Sequence, residues 1–215
     1  MYHFYFNLPK NDKNAGEVIL PQKNSVGLPM IISCYACDPN PYAKFAENDF
    51  MEIVVKKHNL GFVKMKIDMK IDPDESDLNR WAKNLMDMVQ WLKLKHFTNG
   101  NKVGIFACGN GAAAALELAK EYVTAFSILT VDDNFNKKVN VGLNETEIPV
   151  LFLQGTTDKV TIQTKKFKVD NIIREEDPGM KSAKFIFDGA DYYLLSNIEQ
   201  VAEETAKWLK NIGIN

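Results

Sequence analysis

The sequence predicts an α/β fold built on a mostly parallel sheet. Short apolar runs alternate along the chain with segments of helical periodicity. Several of these runs are apolar at nearly every position, as is typical of strands covered by helices on both faces. Alternating strands and helices form βαβ units with right-handed crossovers, so the sheet is twisted and largely parallel. Ligands of such sheets bind at the carboxyl ends of the strands.

The strands and helices follow in order. Two short alternating runs, Tyr2–Phe6 and Glu17–Leu20, are predicted as an N-terminal hairpin or edge strands. The further predicted strands are Leu28–Tyr35, Phe62–Ile67, Lys102–Ala107, Ala125–Val131, Pro149–Gly155 and Lys184–Phe187. The predicted helices are Pro41–His58, Ser76–His96, Asn110–Tyr122, Ile162–Glu175 and Ile198–Asn211. In the second helix, Ser76 is the predicted N-cap. One apolar stripe of that helix contains Leu78, Trp81, Leu85, Met88 and Leu92.

Composition narrows the function classes. The 215 residues are 46% hydrophobic and 25% charged, which is typical of a globular chain, and no Pro-, Gly- or Ser-rich stretch divides it. We therefore expect a single domain over residues 1–215. Twenty-six basic and 28 acidic residues give no electrostatic argument for nucleic acid, and no apolar run is long enough to span a membrane. Three cysteines do not make a disulfide framework, and Met1–Lys10 lacks the pattern of a signal peptide, which together predict a cytoplasmic protein.

A glycine-rich turn follows the strand Lys102–Ala107, in the stretch KVGIFACGNGAAAALELA. It lacks the GxxxxGK[ST] pattern of a phosphate loop. It matches a dinucleotide fingerprint only as GxGxxA, and on the fifth strand rather than the first. A nucleophile elbow requires small residues two positions before and two after the nucleophile, because the strand reverses sharply into a helix. Ala107 and Gly111 meet this requirement, with Gly109 between them.

On these residues, and over roughly positions 25–211, the chain resembles the α/β hydrolases, whose elbow commonly reads VGIxGxSxGGAxAL. Gly61–Asp68 (GFVKMKID) resembles the family's glycine-aromatic strand. Ile148–Val160 (IPVLFLQGTTDKV) resembles its acid-bearing strand and loop, and Phe187–Leu195 (FDGADYYLL) its histidine-bearing loop. The resemblance implies a small hydrolase domain like the dienelactone hydrolases and esterases. It also implies no lid, since only about 16 residues separate Val131 from Glu147.

The same resemblance implies a degenerate catalytic triad. Gly109 takes the nucleophile position, Asp158 the acid position, and Tyr192 the histidine position, or Asp191 if the loop shifts by one. Glycine has no side chain with which to attack a carbonyl, and a phenol of pKa about 10 is a poor base near neutrality. The family's chain order is Ser, then Asp or Glu, then His. The only histidines are His3, His58 and His96, and all of them precede the acid.

We therefore expect a non-catalytic protein that binds a small molecule or a protein in the cleft at the strand ends. The residues expected to line this cleft are Cys34, Tyr35, Cys108, Asn110 and Asp191. No metal or other cofactor is predicted, and neither nucleic acid nor membrane is expected as a partner.

Two alternatives involve the cysteines. A one-residue shift makes Cys108 the nucleophile of an esterase or thioesterase, but it puts Phe106 at a position that needs a small residue, and no histidine is available to form the thiolate. Cys34, Cys37 and Cys108 also invite a redox or metal interpretation. The favoured interpretation is that they are small buried apolar residues.

Overall fold

The structure is a computed structural model. It describes residues 1–8, 11–34, 41–65, 74–108, 111–112, 114–115, 125–128, 149–156, 183–191 and 194–214. The described strands are β1 (Tyr2–Leu8), β2 (Asn11–Leu20), β3 (Leu28–Cys34), β4 (Gly61–Met65), β5 (Thr98–Ala107), β6 (Ala125–Ile128), β7 (Val150–Gly155) and β8 (Ala183–Phe187). The longer helices of the described part are α1 (Pro41–His58), α2 (Glu75–Lys93) and α3 (Ile198–Asn211), with a 3-10 turn at Leu195–Asn197 before α3.

The described strands form one eight-stranded sheet in the order β1-β2-β4-β3-β5-β6-β7-β8. β2 pairs antiparallel with β1 and with β4, and every pairing from β4 to β8 is parallel. The predicted parallel sheet and N-terminal hairpin are thus confirmed. The carboxyl ends of β3, β5, β7 and β8 all lie at one end of the sheet, which we call the carboxyl pole; the other end is the amino pole.

The core lies on both faces of the sheet. All seven residues of β3 are buried, because the strand is central and covered on both sides. Alternate β3 side chains belong to different clusters: Met30 and Ile32 pack with α2, whereas Ile31 packs with α1 and α3. The predicted apolar stripe of α2 is buried throughout, and Val201, Thr205, Trp208 and Leu209 of α3 are buried as well.

The ends of α2 differ from the prediction. Its N-cap is Asp74 rather than Ser76. The Asp74 side chain accepts a hydrogen bond from the Asp77 N–H at 2.9 Å, and the Asp77 carboxylate accepts one from the Asp74 N–H at 3.4 Å. This reciprocal capping box satisfies two donors, which a serine further along the chain could not do. The helix ends at Lys93 rather than His96, where the chain turns into β5.

Two strands begin earlier than predicted. β5 starts at Thr98 instead of Lys102, and β2 starts at Asn11 instead of Glu17. The register between β3 and β5 shifts from Leu28–Thr98 to Met30–Val103, so β5 carries three extra residues over this stretch. The residues at this irregularity are polar and resemble a turn in the sequence, which is why β5 was predicted to begin later. The predicted helix Ile162–Glu175 lies outside the described residues, as does most of the predicted helix Asn110–Tyr122.

Candidate functional site at the carboxyl pole

The turn after β5 has the spacing that a nucleophile elbow requires. Ala107 is fully buried and lies opposite Cys34 in the parallel pairing of β3 with β5. The Gly111 N–H donates a hydrogen bond to the Cys108 carbonyl at 2.9 Å, and the described residues 111, 112, 114 and 115 are helical. A Cβ atom at Gly111 would overlap the Cys34 carbonyl oxygen. The absence of a side chain at position 111 is therefore a steric requirement. Gly109 and Asn110 lie outside the described residues.

The Cys108 side chain is only 4% exposed and packs in the apolar cluster on the α1 and α3 face. Phe106 belongs to the same cluster, and its ring stacks on Phe50 of α1 with the centroids 3.7 Å apart. A register that made Cys108 the nucleophile would put this large, fully buried ring at the small position of the elbow. The packing of Phe106 and Cys108 on one face thus disfavours that register.

Cys34 ends β3 with its side chain 1% exposed, in the cluster on the α2 face. Burial raises the pKa of the Cys34 thiol strongly, and the charge of Glu47 raises it further. Glu47 lies on α1, is itself buried, and accepts a hydrogen bond from the Ser33 hydroxyl. Cys34 is therefore a protonated, apolar residue, unlike the thiolates of reactive sites.

The positions of the described cysteines do not support a metal or redox site. Cys34 and Cys108 are buried and pack on opposite faces of the sheet. Within the described ranges, no group of three His, Cys, Asp or Glu side chains is placed to hold a metal ion. Cys37 lies outside the described residues.

We expect the Cys34 thiol of the folded protein to resist labelling by Ellman's reagent at about pH 8, since little thiolate forms. The measurement uses the Cys37→Ser/Cys108→Ala variant, in which Cys34 is the only thiol, with and without denaturant. The raised pKa also sets a direction for stability. The contribution of Cys34 is complete below the ordinary thiol pKa and decreases as the pH rises above it. Prompt labelling of the folded variant would contradict the burial described here.

The loops after β7 and β8 are joined at Thr156. Its N–H donates to the Phe187 carbonyl at 3.0 Å, and its hydroxyl donates to the Asp188 carboxylate at 3.1 Å. The same hydroxyl oxygen accepts a hydrogen bond from the Gly189 N–H at 2.8 Å. Gly155 allows this closeness, because a Cβ atom there would overlap the Ala190 carbonyl oxygen.

The two loops joined at Thr156 are the ones that contain two of the predicted triad positions. Asp158 follows Thr156 by two residues, and Tyr192 directly follows Asp191, whose side chain is exposed. Asp158, Tyr192 and Tyr35 themselves lie outside the described residues. The described parts of the two loops nevertheless begin side by side at the carboxyl pole, next to the end of β7.

Comparison with known proteins identifies the fold. No family model matches the chain, and no curated protein matches it. Solved structures match it over nearly their full length. The esterase domain of a Rhodothermus marinus protein is 14% identical, covers 99% of this chain and 99% of its own, and gives a TM-score of 0.68. The chain has the α/β-hydrolase fold.

Two further structures with this fold are similar in size. A dienelactone hydrolase from Anabaena variabilis is 16% identical, with a TM-score of 0.67 over 98% of this chain and 96% of its own. An α/β serine hydrolase from Xanthomonas campestris, described as having no lid, is 11% identical, with a TM-score of 0.66 over 98% and 94% of the two chains. This mutual coverage agrees with the prediction of an α/β-hydrolase fold without a lid domain.

None of the three histidines lies at the carboxyl pole of this α/β-hydrolase fold. His3 is on the edge strand β1; it pairs with Ile19 of β2, which pairs with Phe62 of β4, which pairs with Ile31 in the middle of β3. The backbone of His3 is therefore about 17 Å from Cys34 by strand rise and spacing. His58 ends α1, three residues before β4 begins, at the amino pole. His96 lies two residues before β5, and its carbonyl accepts from the Gly27 N–H at 3.0 Å.

Two of these histidines have acidic partners of their own. His3 Nδ1 lies 2.8 Å from the Glu17 carboxylate, and His58 Nε2 lies 3.1 Å from that of Glu203. Both pairs are remote from the elbow, so the carboxyl pole is not where these imidazoles act.

The sequence analysis missed Glu47, a buried carboxylate beside the end of β3. A signal for it exists: Glu47 precedes Phe50, Met51 and Val54 at helical spacing, so an acidic residue interrupts the apolar stripe of α1. Buried carboxylates require hydrogen-bond donors, and the Ser33 hydroxyl supplies one. Glu47 thus places a buried negative charge beside the end of β3, next to Ser33 and Cys34.

Proposed function

We propose that this chain is a non-catalytic α/β-hydrolase-fold protein of the cytoplasm that binds a small molecule or a protein at the carboxyl pole. The observation that carries the proposal is the placement of its three histidines away from the carboxyl pole. A serine or cysteine nucleophile of this fold needs an imidazole within hydrogen-bonding reach to take its proton. The backbone of His3 lies about 17 Å from the end of β3, too far for its side chain to bridge. His58 and His96 lie at the opposite pole, just before β4 and β5.

The glycine at the elbow supports the same proposal. With Ala107 and Gly111 at the two small positions of the sequence pattern, the nucleophile position falls on Gly109. Glycine has no group that can form an acyl intermediate. The exposed Asp191 at the carboxyl pole is suited to hydrogen bonding with a bound ligand.

The second candidate function is hydrolysis through Cys108. It is kept because a thiol directly precedes Gly109 in the turn, and because esterases and a dienelactone hydrolase share the fold. The burial of Cys108 among apolar side chains argues against it, since reactive cysteines occupy partly exposed, electropositive surroundings.

We expect purified protein to show no turnover of short-chain p-nitrophenyl esters or thioesters above the uncatalysed rate. The same samples are monitored for thermal unfolding, and a compound that fits the cleft should raise the Tm without being hydrolysed. The matched variants are Cys108→Ala and Cys34→Ala, which remove buried thiols on opposite faces of the sheet. Turnover that disappears in Cys108→Ala and persists in Cys34→Ala would establish the hydrolase function instead.

A further inference from the structure

Exposed apolar side chains gather at the amino pole, away from the candidate cleft. In the described part of the chain the exposed large apolar residues are Met1, Tyr5, Val26, Leu94 and Ile186. Three of these, Met1, Val26 and Leu94, lie at the amino pole. Leu94 is 84% exposed and Val26 71%. The N–H of Gly27, next to Val26, bonds to the carbonyl of His96, which brings the loops of Val26 and Leu94 together.

The two loops that carry Val26 and Leu94 are basic. Residues 21–27 and 93–98 contain Lys23, Lys93, Lys95 and His96, and neither segment contains Asp or Glu. The chain as a whole has a net charge of −2, so this concentration of positive charge is local. Exposed apolar residues beside lysines are suited to a partner whose surface is anionic and whose interior is apolar.

Aromatic rings complete the surface. Trp91 is half-buried and stacks on Phe6 with the ring centroids 4.5 Å apart, which holds it in place. The Lys95 ammonium lies 4.4 Å above the Trp91 ring, and the Lys23 ammonium lies 6.0 Å from the Tyr2 ring. Half-exposed Trp and Tyr beside lysines are typical of residues at the interface between lipid and water.

We propose that the amino pole binds the surface of an anionic lipid bilayer. Leu94 and Val26 enter the headgroup region, and Lys23, Lys93 and Lys95 contact the lipid phosphates and carboxylates. The apolar side chains of Leu94 and Val26 are largely exposed, and a deformable bilayer accommodates such side chains without a complementary groove. None of the helices in the described part is long and apolar enough to cross a membrane. A peripheral contact needs no such helix, although the sequence alone gave no reason to expect a membrane partner.

Backbone hydrogen bonds hold the binding loops in place. Leu28 N–H donates to the Phe97 carbonyl at 2.7 Å, and Thr98 N–H donates to the Lys95 carbonyl at 3.0 Å. Little ordering entropy is therefore lost when the surface meets lipid. Since the cleft lies at the opposite pole, membrane binding leaves it open to solvent and does not depend on the function proposed above.

The test is co-sedimentation of the full chain with vesicles of phosphatidylcholine alone or mixed with phosphatidylserine. We expect binding to the mixed vesicles only, and its loss when the salt concentration rises, because screening shortens the range of surface charge. Lys93→Glu should weaken binding by at least about fivefold, the equivalent of roughly 1 kcal/mol per lysine. Leu94→Ser should weaken it to a similar degree through lost apolar insertion.

Matched variants make the result specific. Lys83→Glu makes the same charge change ten residues earlier on α2, and Ile186→Ser removes an exposed apolar side chain from β8. Both should bind as the native chain does. Absence of binding to anionic vesicles, or equal losses in the Lys83 and Lys93 variants, would overturn the proposal. Binding to soluble polyglutamate but not to vesicles would also overturn it and assign the surface to an acidic protein.

Discussion

We expect Gly111→Ala to lower the free energy of unfolding by about 3 kcal/mol, at the upper end of the cost of overpacking a core. The added Cβ would overlap the Cys34 carbonyl oxygen, which belongs to the backbone of the central strand and has little freedom to move. Relief requires either β3 or the helix after β5 to shift. Urea unfolding monitored by tryptophan fluorescence measures the effect as a change in midpoint at constant slope.

The matched control is Gly100→Ala. Gly100 also lies in the β5 region, but the nearest atoms to a Cβ there are at 3.4 Å or more, an ordinary contact distance. Its change in unfolding free energy should stay within about 0.5 kcal/mol. If the two variants were equally stable, the close approach between the elbow and β3 would be wrong.

The second large effect is a gain of activity. We predict weak esterase activity in the double variant Gly109→Ser/Tyr192→His and none in either single variant. The double variant supplies a nucleophile and a base in the family order, with Asp158 between them in the chain. Serine alone has no base to take its proton, and histidine alone has no nucleophile to activate. Groups that act as one catalytic unit are strongly non-additive, so neither half should give a partial effect.

Turnover of a p-nitrophenyl ester by the purified double variant is the measurement, with the native chain as background. Adding Asp158→Asn to the double variant should remove the activity again, because the base would lose the carboxylate that orients it. Activity that survives Asp158→Asn would show that the rebuilt groups do not work as a triad. Activity in Gly109→Ser alone would reveal a base that is not among the three histidines.

Central elements were predicted well, because their patterns arise from burial. β3 is apolar at almost every position, since helices cover both of its faces, and α1 and α3 have their predicted bounds. The sequence predicted a sharp turn after β5 from the small residues Ala107 and Gly111. The close contact of Gly111 with β3 agrees with that prediction. The local pattern therefore agreed with the tertiary packing at each of these places.

Features that depend on distant partners were not predictable. The early start of β5 depends on an irregular register with β3, which polar residues do not signal. Glu47 is buried because Ser33, on another element, meets its carboxylate. The chain order of the histidines predicted a degenerate triad, whereas their distance from the carboxyl pole required the sheet order.

The N-cap of α2 was wrong for a local reason. Asp74 and Asp77, three residues apart, exchange reciprocal hydrogen bonds, and this pattern is present in the sequence beside Ser76.

The hydrogen bonds of Thr156 stabilise one end of the sheet without using the positions at which catalytic residues are predicted. The loops after β7 and β8 are joined through the Thr156 hydroxyl, the Asp188 carboxylate and the Gly189 N–H, and none of these groups occupies a predicted triad position. We therefore expect substitutions at Asp158 or Tyr192 to leave this contact intact. The end of the sheet is held by groups that need no catalytic side chain, which agrees with a fold shared with hydrolases at only 11–16% identity.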